Sequence, residues 1–562
     1  MGTTLPTVSD RYSDDEVKRF YASGYWRPET LIDMLDARAA QQPDRLFVSD
    51  ATTSLTYSQL RDRAYRMAAG LARSGVDPGD RVVVQLPNWT DFVVAVAAIA
   101  RCRAIVVPVM PIYRHDEVRY VLQHSGARAA VTCHEFNGFS FSSMYDELRA
   151  QCPELGSVYL ARSAEAVGDA VPLDSLVVDS DVDAVQVELG PGPNADDGHL
   201  IVYTSGTTAR PKGCFHTWNT LAFTVRTMVA NLRWTDADVS FGPSPITHST
   251  GYMTSVLIPL FAEGKTHLME TWDPKAAFAR IAEHGCTTAV TATVFLQMLI
   301  NAYQPGEHDA STLRLWVAAG SPIPGAVVEN ARRILPAMEV LSLYGRSENM
   351  VTTMCSTGDD PDLSTSSDGR PPAGVEAIAV DELGREVPAG QQGDLAYRGP
   401  GHMLAYFGQP ELTAELFTDD GFSRSGDLGV VQETGYVRVT GRLKDIIIRG
   451  GMNISAREIE ELLLGHPDVR DVAVVAMPDE RLGERVCACI VPVDGAQPSL
   501  ADVVAYLRDQ HHVASQKLPE RVELLEALPM TATGKVQKHV LRDRVASKLE
   551  RETAAASAPN GL

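Results

Sequence analysis

Apolar and polar positions along this chain fall into two alternating registers. Leu31, Met34, Leu35 and Ala39 recur at helical spacing before Gln42–Pro43–Asp44 stops the run. Arg81–Val82–Val83–Val84–Gln85–Leu86 is an apolar run of strand length, an apolar helix follows from Asp91 to Ala100, and Ala104–Val109 reads as the next strand. Strands alternating with helices predict parallel βαβ units. The pattern returns further on, with a helix over Leu221–Leu232 and strands at Thr288–Ala292, Leu313–Ala318 and Met338–Leu343. Between Arg370 and Arg398 glycine, proline and short alternating strands take over, which predicts a small β-subdomain. Beyond Gly441–Arg442 come an amphipathic helix (Ser455–Leu464), two strands (Val469–Met477, Arg485–Val493) and a helix (Ser499–Asp509), a compact α+β unit. The expected class is α/β: a large N-terminal domain over 1–442 with two α/β subdomains and the small β-subdomain, then a small α+β domain over 443–551. The Ala- and Ser-rich tail, 552–562, is expected to lack structure.

Length and charge narrow the classes of function. A chain of 562 residues exceeds what one core supports, and 44% hydrophobic with 22% charged residues is ordinary for a globular protein. A formal charge of -22 argues against non-specific binding to nucleic acid or anionic membrane, though a local basic pocket can still hold a nucleotide. The eight cysteines show no zinc spacing; Cys487 and Cys489 share one face of an apolar strand and read as packed thiols. The N-terminus lacks a signal peptide's basic start and apolar core, and no apolar run reaches the roughly 18 residues of a spanning helix. A soluble, cytoplasmic protein is expected.

Candidate chemistry centres on Tyr203–Thr204–Ser205–Gly206–Thr207–Thr208–Ala209–Arg210–Pro211–Lys212–Gly213. Hydroxyl residues around a glycine, directly after the apolar Leu200–Ile201–Val202, offer side-chain and backbone donors to an anion with several oxygens, and Lys212 adds a cation. It is not a Walker loop, since Pro211 precedes the lysine and Gly213 follows it. Four more segments join it. Tyr344–Gly345–Arg346–Ser347–Glu348 follows a strand end, where open α/β sheets bind ligands; Glu348 suits Mg²⁺ between phosphate oxygens and Tyr344 suits stacking on a base. Ser425–Gly426–Asp427–Leu428 presents a carboxylate on a tight turn, either for ribose hydroxyls or as an Asx-type turn residue. Arg442 and Lys444 lie in a charged turn before a β-branched strand and the pair Gly450–Gly451. Lys535 follows Thr533–Gly534 near the C-terminus.

In order and wording these segments resemble the adenylate-forming superfamily of acyl-CoA synthetases, carrier-protein-loading adenylation domains and luciferases. The likeness runs from Leu55–Thr56–Tyr57 to Lys538, and Pro211–Lys212–Gly213 with His216–Thr217 looks most like short- and medium-chain or alicyclic acyl-CoA ligases, cyclohexanecarboxylate–CoA ligase included. The resemblance implies a two-step reaction, in which a carboxylate attacks the α-phosphate of Mg·ATP and a thiol then displaces AMP. It implies that the Thr204–Lys212 loop grips the β- and γ-phosphates, Ser347 touches the α-phosphate, and Glu348 holds the metal. Tyr344, beside Gly345, would pack on adenine, Asp427 and Arg442 would hold the ribose, and Lys535 would bridge carboxylate and α-phosphate. By the same resemblance the small domain turns about Lys444, and Gly450–Gly451 lines the thiol tunnel.

Two positions depart from the family pattern. Ser347 stands where threonine is usual, and Arg346 is a long cation that either faces solvent or reads a second anion. The acid pocket, again by resemblance, is bordered by His248, Ser249 and Gly251 and by Ala319 and Gly320; His248 either contacts the carboxylate or is a packed aromatic. No aspartate stands in the first segment to pair with an α-amine, nor is the asparagine linked to hydroxybenzoate activation evident. A neutral aliphatic, alicyclic or aryl acid remains. The expected substrates are therefore ATP with Mg²⁺, such an acid, and CoA. The alternatives are transfer to a carrier-protein phosphopantetheine, or activation of nitrite for diazotisation of an aryl amine; a non-enzymatic nucleotide-binding protein is disfavoured by Glu348, Asp427 and Lys535. No nucleic-acid partner and no membrane insertion are expected, and a homodimer would fit the family.

Overall fold

A computed structural model describes residues 4–204, 210–320, 323–531 and 535–557. Two eight-stranded sheets form the body of the protein, each parallel in its middle and antiparallel toward one or both ends. The first has Ile105–Pro108, Arg81–Val84, Ala129–Cys133 and Ser157–Ala161 at its centre, with Gly198–Tyr203 and then the antiparallel Gly213–Thr217 on one side. The second places Glu339–Tyr344, Leu315–Ala319, Thr288–Ala292 and Val239–Gly242 side by side. The helix Thr90–Arg101 is buried at all twelve positions, as its near-continuous apolar sequence requires.

The expected β-subdomain is present and reaches further than its sequence signal. It is a four-stranded antiparallel sheet of Glu376–Val380, Gln392–Arg398, Ser423–Val431 and Val437–Arg442. A single turn of 3₁₀ helix, Leu443–Asp445, leads from it into the C-terminal domain, where Val469–Asp479 and Gly483–Pro492 form a long antiparallel pair. Cys487 and Cys489 lie buried on that pair, as packed thiols.

Two expectations are corrected. Asp427 does not sit on a tight turn: it lies inside Ser423–Val431, pairs with Arg442 across the sheet, and owes its turn-like sequence to Gly426 at φ 70° and a register irregularity after Leu428. The tail expected to lack structure from 552 onward is helical at least to Ser557, as the end of Lys538–Ser557. Alanine favours helix, and Glu552 is tied to Arg521 by contacts of 2.9 and 2.7 Å. Among the described residues no helix is long and apolar enough to cross a membrane.

Candidate active site

The site forms where strands of the first sheet, the second sheet and the small β-sheet end against one another. Gly198–Tyr203 and Gly213–Thr217 are antiparallel neighbours, so the segment between them is a hairpin loop, closed by the Thr204 N–H to the Lys212 carbonyl (2.9 Å) and by the Lys212 N–H to Thr204 Oγ1 (3.2 Å). The middle of that loop, with Ser205, Gly206, Thr207 and Thr208, lies outside the described residues. Lys212 Nζ sits 4.6 Å above the ring of Tyr406. Tyr406 in turn donates its hydroxyl to Glu348 Oε1 at 2.6 Å. The loop cation and the candidate metal carboxylate are thus joined through one aromatic side chain.

Glu348 follows the strand Glu339–Tyr344 through a turn that only glycine permits at 345: a Cβ there would lie 1.9 Å from the Met350 carbonyl oxygen. His216 reaches across from the first sheet and holds the same turn, its Nε2 donating to the Ser347 carbonyl at 2.8 Å. Burial brings the His216 imidazole down to about 4, so it is neutral, and a donating Nε2–H fixes its tautomer. Glu348 itself is 4% exposed. Arg346 corrects one of the two expectations for it: its side chain is not in solvent but folds back to Glu348 Oε1, at 2.9 Å from Nη2. Its Nη1 reaches Tyr397 Oη and the Arg424 carbonyl, both at 3.3 Å. A buried carboxylate draws in the nearest cation because leaving it unpaired is costly.

A second charged hub lies beside the first. Asp427 is buried, accepts the Tyr344 hydroxyl at 2.6 Å and faces Arg442 Nε at 3.0 Å. Burial and the Asp427 charge push the Tyr344 hydroxyl well above its usual range, so it stays a donor. Lys535 arrives from the C-terminal domain, its backbone N–H bonded to Thr531 Oγ1 at 3.0 Å. Its side chain meets Gly320, whose ideal Cβ would lie 3.4 Å from Cε and 3.9 Å from Nζ. Burial, reinforced by Arg442, lowers the Lys535 ammonium to about 8, while Asp427 and Glu348 oppose that shift.

The acid-pocket candidates share this neighbourhood. Ala319 ends the strand Leu315–Ala319 and Gly320 turns away from it at φ 75°. His248 caps the short helix Ser249–Tyr252, and its Nδ1 accepts the Thr250 N–H at 3.3 Å. Burial and the Lys535 charge lower His248 to about 3, leaving a neutral ring with its proton on Nε2. Ser249 is buried, and Gly251 has a packing reason of its own, since a Cβ would stand 2.1 Å from the Pro245 carbonyl oxygen. Asn88, from the first sheet, clamps this loop by donating to Gly242, Ser244 and Met269 carbonyls and accepting from the Ile246 N–H at 2.8 Å. Sequence reasoning passed over Asn88, Tyr406 and Tyr397, because each acts across tens of residues or more and none belongs to a spaced motif.

Not every candidate gathers here. Gly450 and Gly451 form the two-residue turn of the hairpin Ile446–Arg449 to Met452–Ser455, both left-handed at φ 58° and 85° and both exposed. Such a turn needs positive φ at both positions, which explains the double glycine without a ligand. Lys444 sits in the 3₁₀ turn between the domains, and its carbonyl accepts Arg542 Nη1 at 3.1 Å. For magnesium the donor set fits: Glu348 is a hard oxygen ligand beside the phosphate-loop candidates, and magnesium commonly takes one or two carboxylates and completes its shell with phosphate oxygens and water.

With this geometry in view, the comparisons agree. A family model described as "AMP-binding enzyme" matches residues 35–407, and one described as "AMP-binding enzyme C-terminal domain" matches 458–535. The chain therefore belongs to the AMP-binding, adenylate-forming family. It is 33% identical to a medium-chain fatty-acid–CoA ligase of Escherichia coli, covering 97% of this chain and 95% of that protein. It is also 33% identical to a salicyl-AMP ligase / salicyl-S-ArCP synthetase of Mycobacterium tuberculosis, covering 96% of this chain and 94% of that one. Among solved structures, ATP-bound MatB of Rhodopseudomonas palustris superimposes with a TM-score of 0.82 at 28% identity, over 91% of this chain and 98% of that one.

Two outcomes are expected. The kcat/KM for pyrophosphate release should fall as pH rises through about 8, because the cationic form of Lys535 is lost there in the free enzyme. Lys535→Arg, which keeps its charge, should remove that limb from the pH profile; a limb near the ordinary lysine value would contradict the assignment. Gly345→Ala should reduce adenylation by about tenfold or more through displacement of Glu348, with a destabilisation of about 1–3 kcal/mol. Rate and denaturant midpoint measured together check this, and an unchanged rate refutes it.

Proposed function

We propose that the protein is an AMP-forming acid–thiol ligase that activates a neutral carboxylic acid as its acyl-adenylate and passes the acyl group to the thiol of CoA. The observation that carries this reading is Lys535 lying against Gly320 at the meeting point of Asp427, Arg442, Arg346 and Glu348. In the first step a carboxylate oxygen attacks the α-phosphorus, and the bond to pyrophosphate breaks. Two anions must meet for this, and Lys535 would offset their repulsion in a site from which water is largely excluded. Asp427 would accept hydrogen bonds from the ribose hydroxyls, Arg442 would donate to a hydroxyl oxygen, and Tyr344 would pack on adenine. The Nε2–H of neutral His248 would orient the acid. Magnesium, held by Glu348 and phosphate oxygens, would supply charge neutralisation and in-line geometry. In the second step the sulfur attacks the acyl carbon, the bond to the phosphate oxygen breaks, AMP leaves, and the thiol proton is lost to solvent. Turning about Lys444 would take Lys535 out and bring the Gly450–Gly451 hairpin in.

The two relatives differ in acceptor by name, a CoA ligase and a carrier-loading synthetase. The second reading is therefore transfer to a carrier-protein phosphopantetheine. Activation of nitrite rests on Arg346 alone, and in the structure that side chain is held by Glu348, Tyr397 and the Arg424 carbonyl. The test is pyrophosphate release from Mg·ATP across short, alicyclic and aromatic acids, with and without CoA. Release that follows one acid, an acyl-CoA formed only with CoA, and a loss of about 10²–10³-fold in Lys535→Ala are expected. Release without use of CoA would move the acceptor to a carrier protein, and full adenylation by Lys535→Ala would sink the mechanism.

A further inference from the structure

We propose that Arg346 is a built-in counter-ion for Glu348 that competes with a divalent cation for the charge of this carboxylate when ATP binds. The inference rests on the adenylation reading above and goes beyond it by assigning Arg346 a part in metal affinity. Glu348 is 4% exposed, and two donors converge on its Oε1: Arg346 Nη2 at 2.9 Å and Tyr406 Oη at 2.6 Å. The Arg346 side chain is itself only 20% exposed. On its far side it is held by two long contacts of 3.3 Å, to Tyr397 Oη and the Arg424 carbonyl. Its shortest hold is therefore on the carboxylate, and the wall of the small β-sheet supports it weakly.

Magnesium binds carboxylate oxygen at about 2.1 Å and demands near-octahedral oxygen ligands. A guanidinium held on the same carboxylate opposes it, because like charges repel and Oε1 already accepts from Arg346 and Tyr406. Arginine cannot lose its proton to make room, since it stays charged at any working pH. The arginine must therefore either give up its hold on Glu348 or weaken the metal's. The pairing neutralises a carboxylate too deeply buried to stay charged alone. It also makes divalent cation affinity depend on a side chain two residues away that need not touch the metal.

The test is Mn²⁺ binding, followed by electron paramagnetic resonance, to the enzyme saturated with ATP and without acid, with ATP affinity measured in the same series. Arg346→Gln should bind Mn²⁺ at least about tenfold more tightly than the natural enzyme. The shift should vanish when the same change is made in Glu348→Gln, where no carboxylate is left to release. Arg346→Lys, a milder change that keeps the charge but loses the planar fork, should fall between and serves if the glutamine variant does not fold. Equal Mn²⁺ affinity in the natural and variant enzymes would overturn the proposal. So would a shift that persists in the Glu348→Gln background, since a general charge effect would then account for it. A natural enzyme that binds no ATP would instead overturn the adenylation reading, and the ATP measurement separates that outcome from the others.

Discussion

A carboxylate removed from water stays ionised only when donors and cations surround it, and the centre of this protein contains two of them. Glu348 is met by Arg346 and Tyr406, and Asp427 by Tyr344 and Arg442. The five residues Tyr344 to Glu348 supply a partner to each hub and one carboxylate. The remaining members come from elsewhere: Tyr406 from the edge of the first sheet, Asp427 and Arg442 from the small β-sheet. Satisfying two buried charges therefore fixes three sheets against one another. His216, on the first sheet, adds a neutral brace by binding the Ser347 carbonyl.

The topology explains why these groups meet at all. Parallel strands carry their loops at the carboxyl ends, and both large sheets direct those ends to one place. Tyr203, Ala319 and Tyr344 each terminate a strand there. Ala319 lies in register with Leu343 on the neighbouring strand, so Gly320 and Tyr344 leave the sheet side by side. The small sheet then closes the mouth with the pair Asp427–Arg442, aligned across two antiparallel strands. Close approach is bought with glycine where a side chain would collide, at 345 against Met350 and at 251 against Pro245.

Much of the fold was legible in the chain because strand and helix signals are local. The central strand Thr288–Ala292 and the edge strand Glu376–Val380 lie where apolar spacing puts them, and Tyr344–Glu348 does follow a strand end. Asp427 misled because glycine and serine before a carboxylate look the same in a turn and in an irregular strand. The alanine-rich tail misled because composition alone does not register the long-range Arg521–Glu552 pair. The double glycine left backbone freedom and close approach of a ligand open, and two positive φ angles in a hairpin supply the first. Arg346 was undecidable from sequence for a similar reason. Its partner Glu348 is only two residues away, but the burial that makes the pair matter is set by Tyr397, Arg424 and Tyr406, which no local pattern announces.

Charge balance also bears on why the C-terminal domain could leave after doing its work. The described polar side-chain contacts across the turn at Leu443–Asp445 include Ser455 Oγ donating to the Thr440 carbonyl, Arg438 Nη2 donating to Glu461 Oε1 at 3.0 Å, and Arg457 standing 3.9 Å from Asp368. Lys535 enters a site where Arg442 and Arg346 already stand, and burial together with these two cations lowers its proton affinity. On the proposed mechanism, the phosphates of ATP and the acid would reverse that balance and hold the lysine in place. Departure of pyrophosphate would then remove most of the negative charge, weakening the hold on Lys535 when the thiol step requires a different face of the domain. The same electrostatics that stabilise the first reaction would release the domain for the second, and no separate trigger is needed.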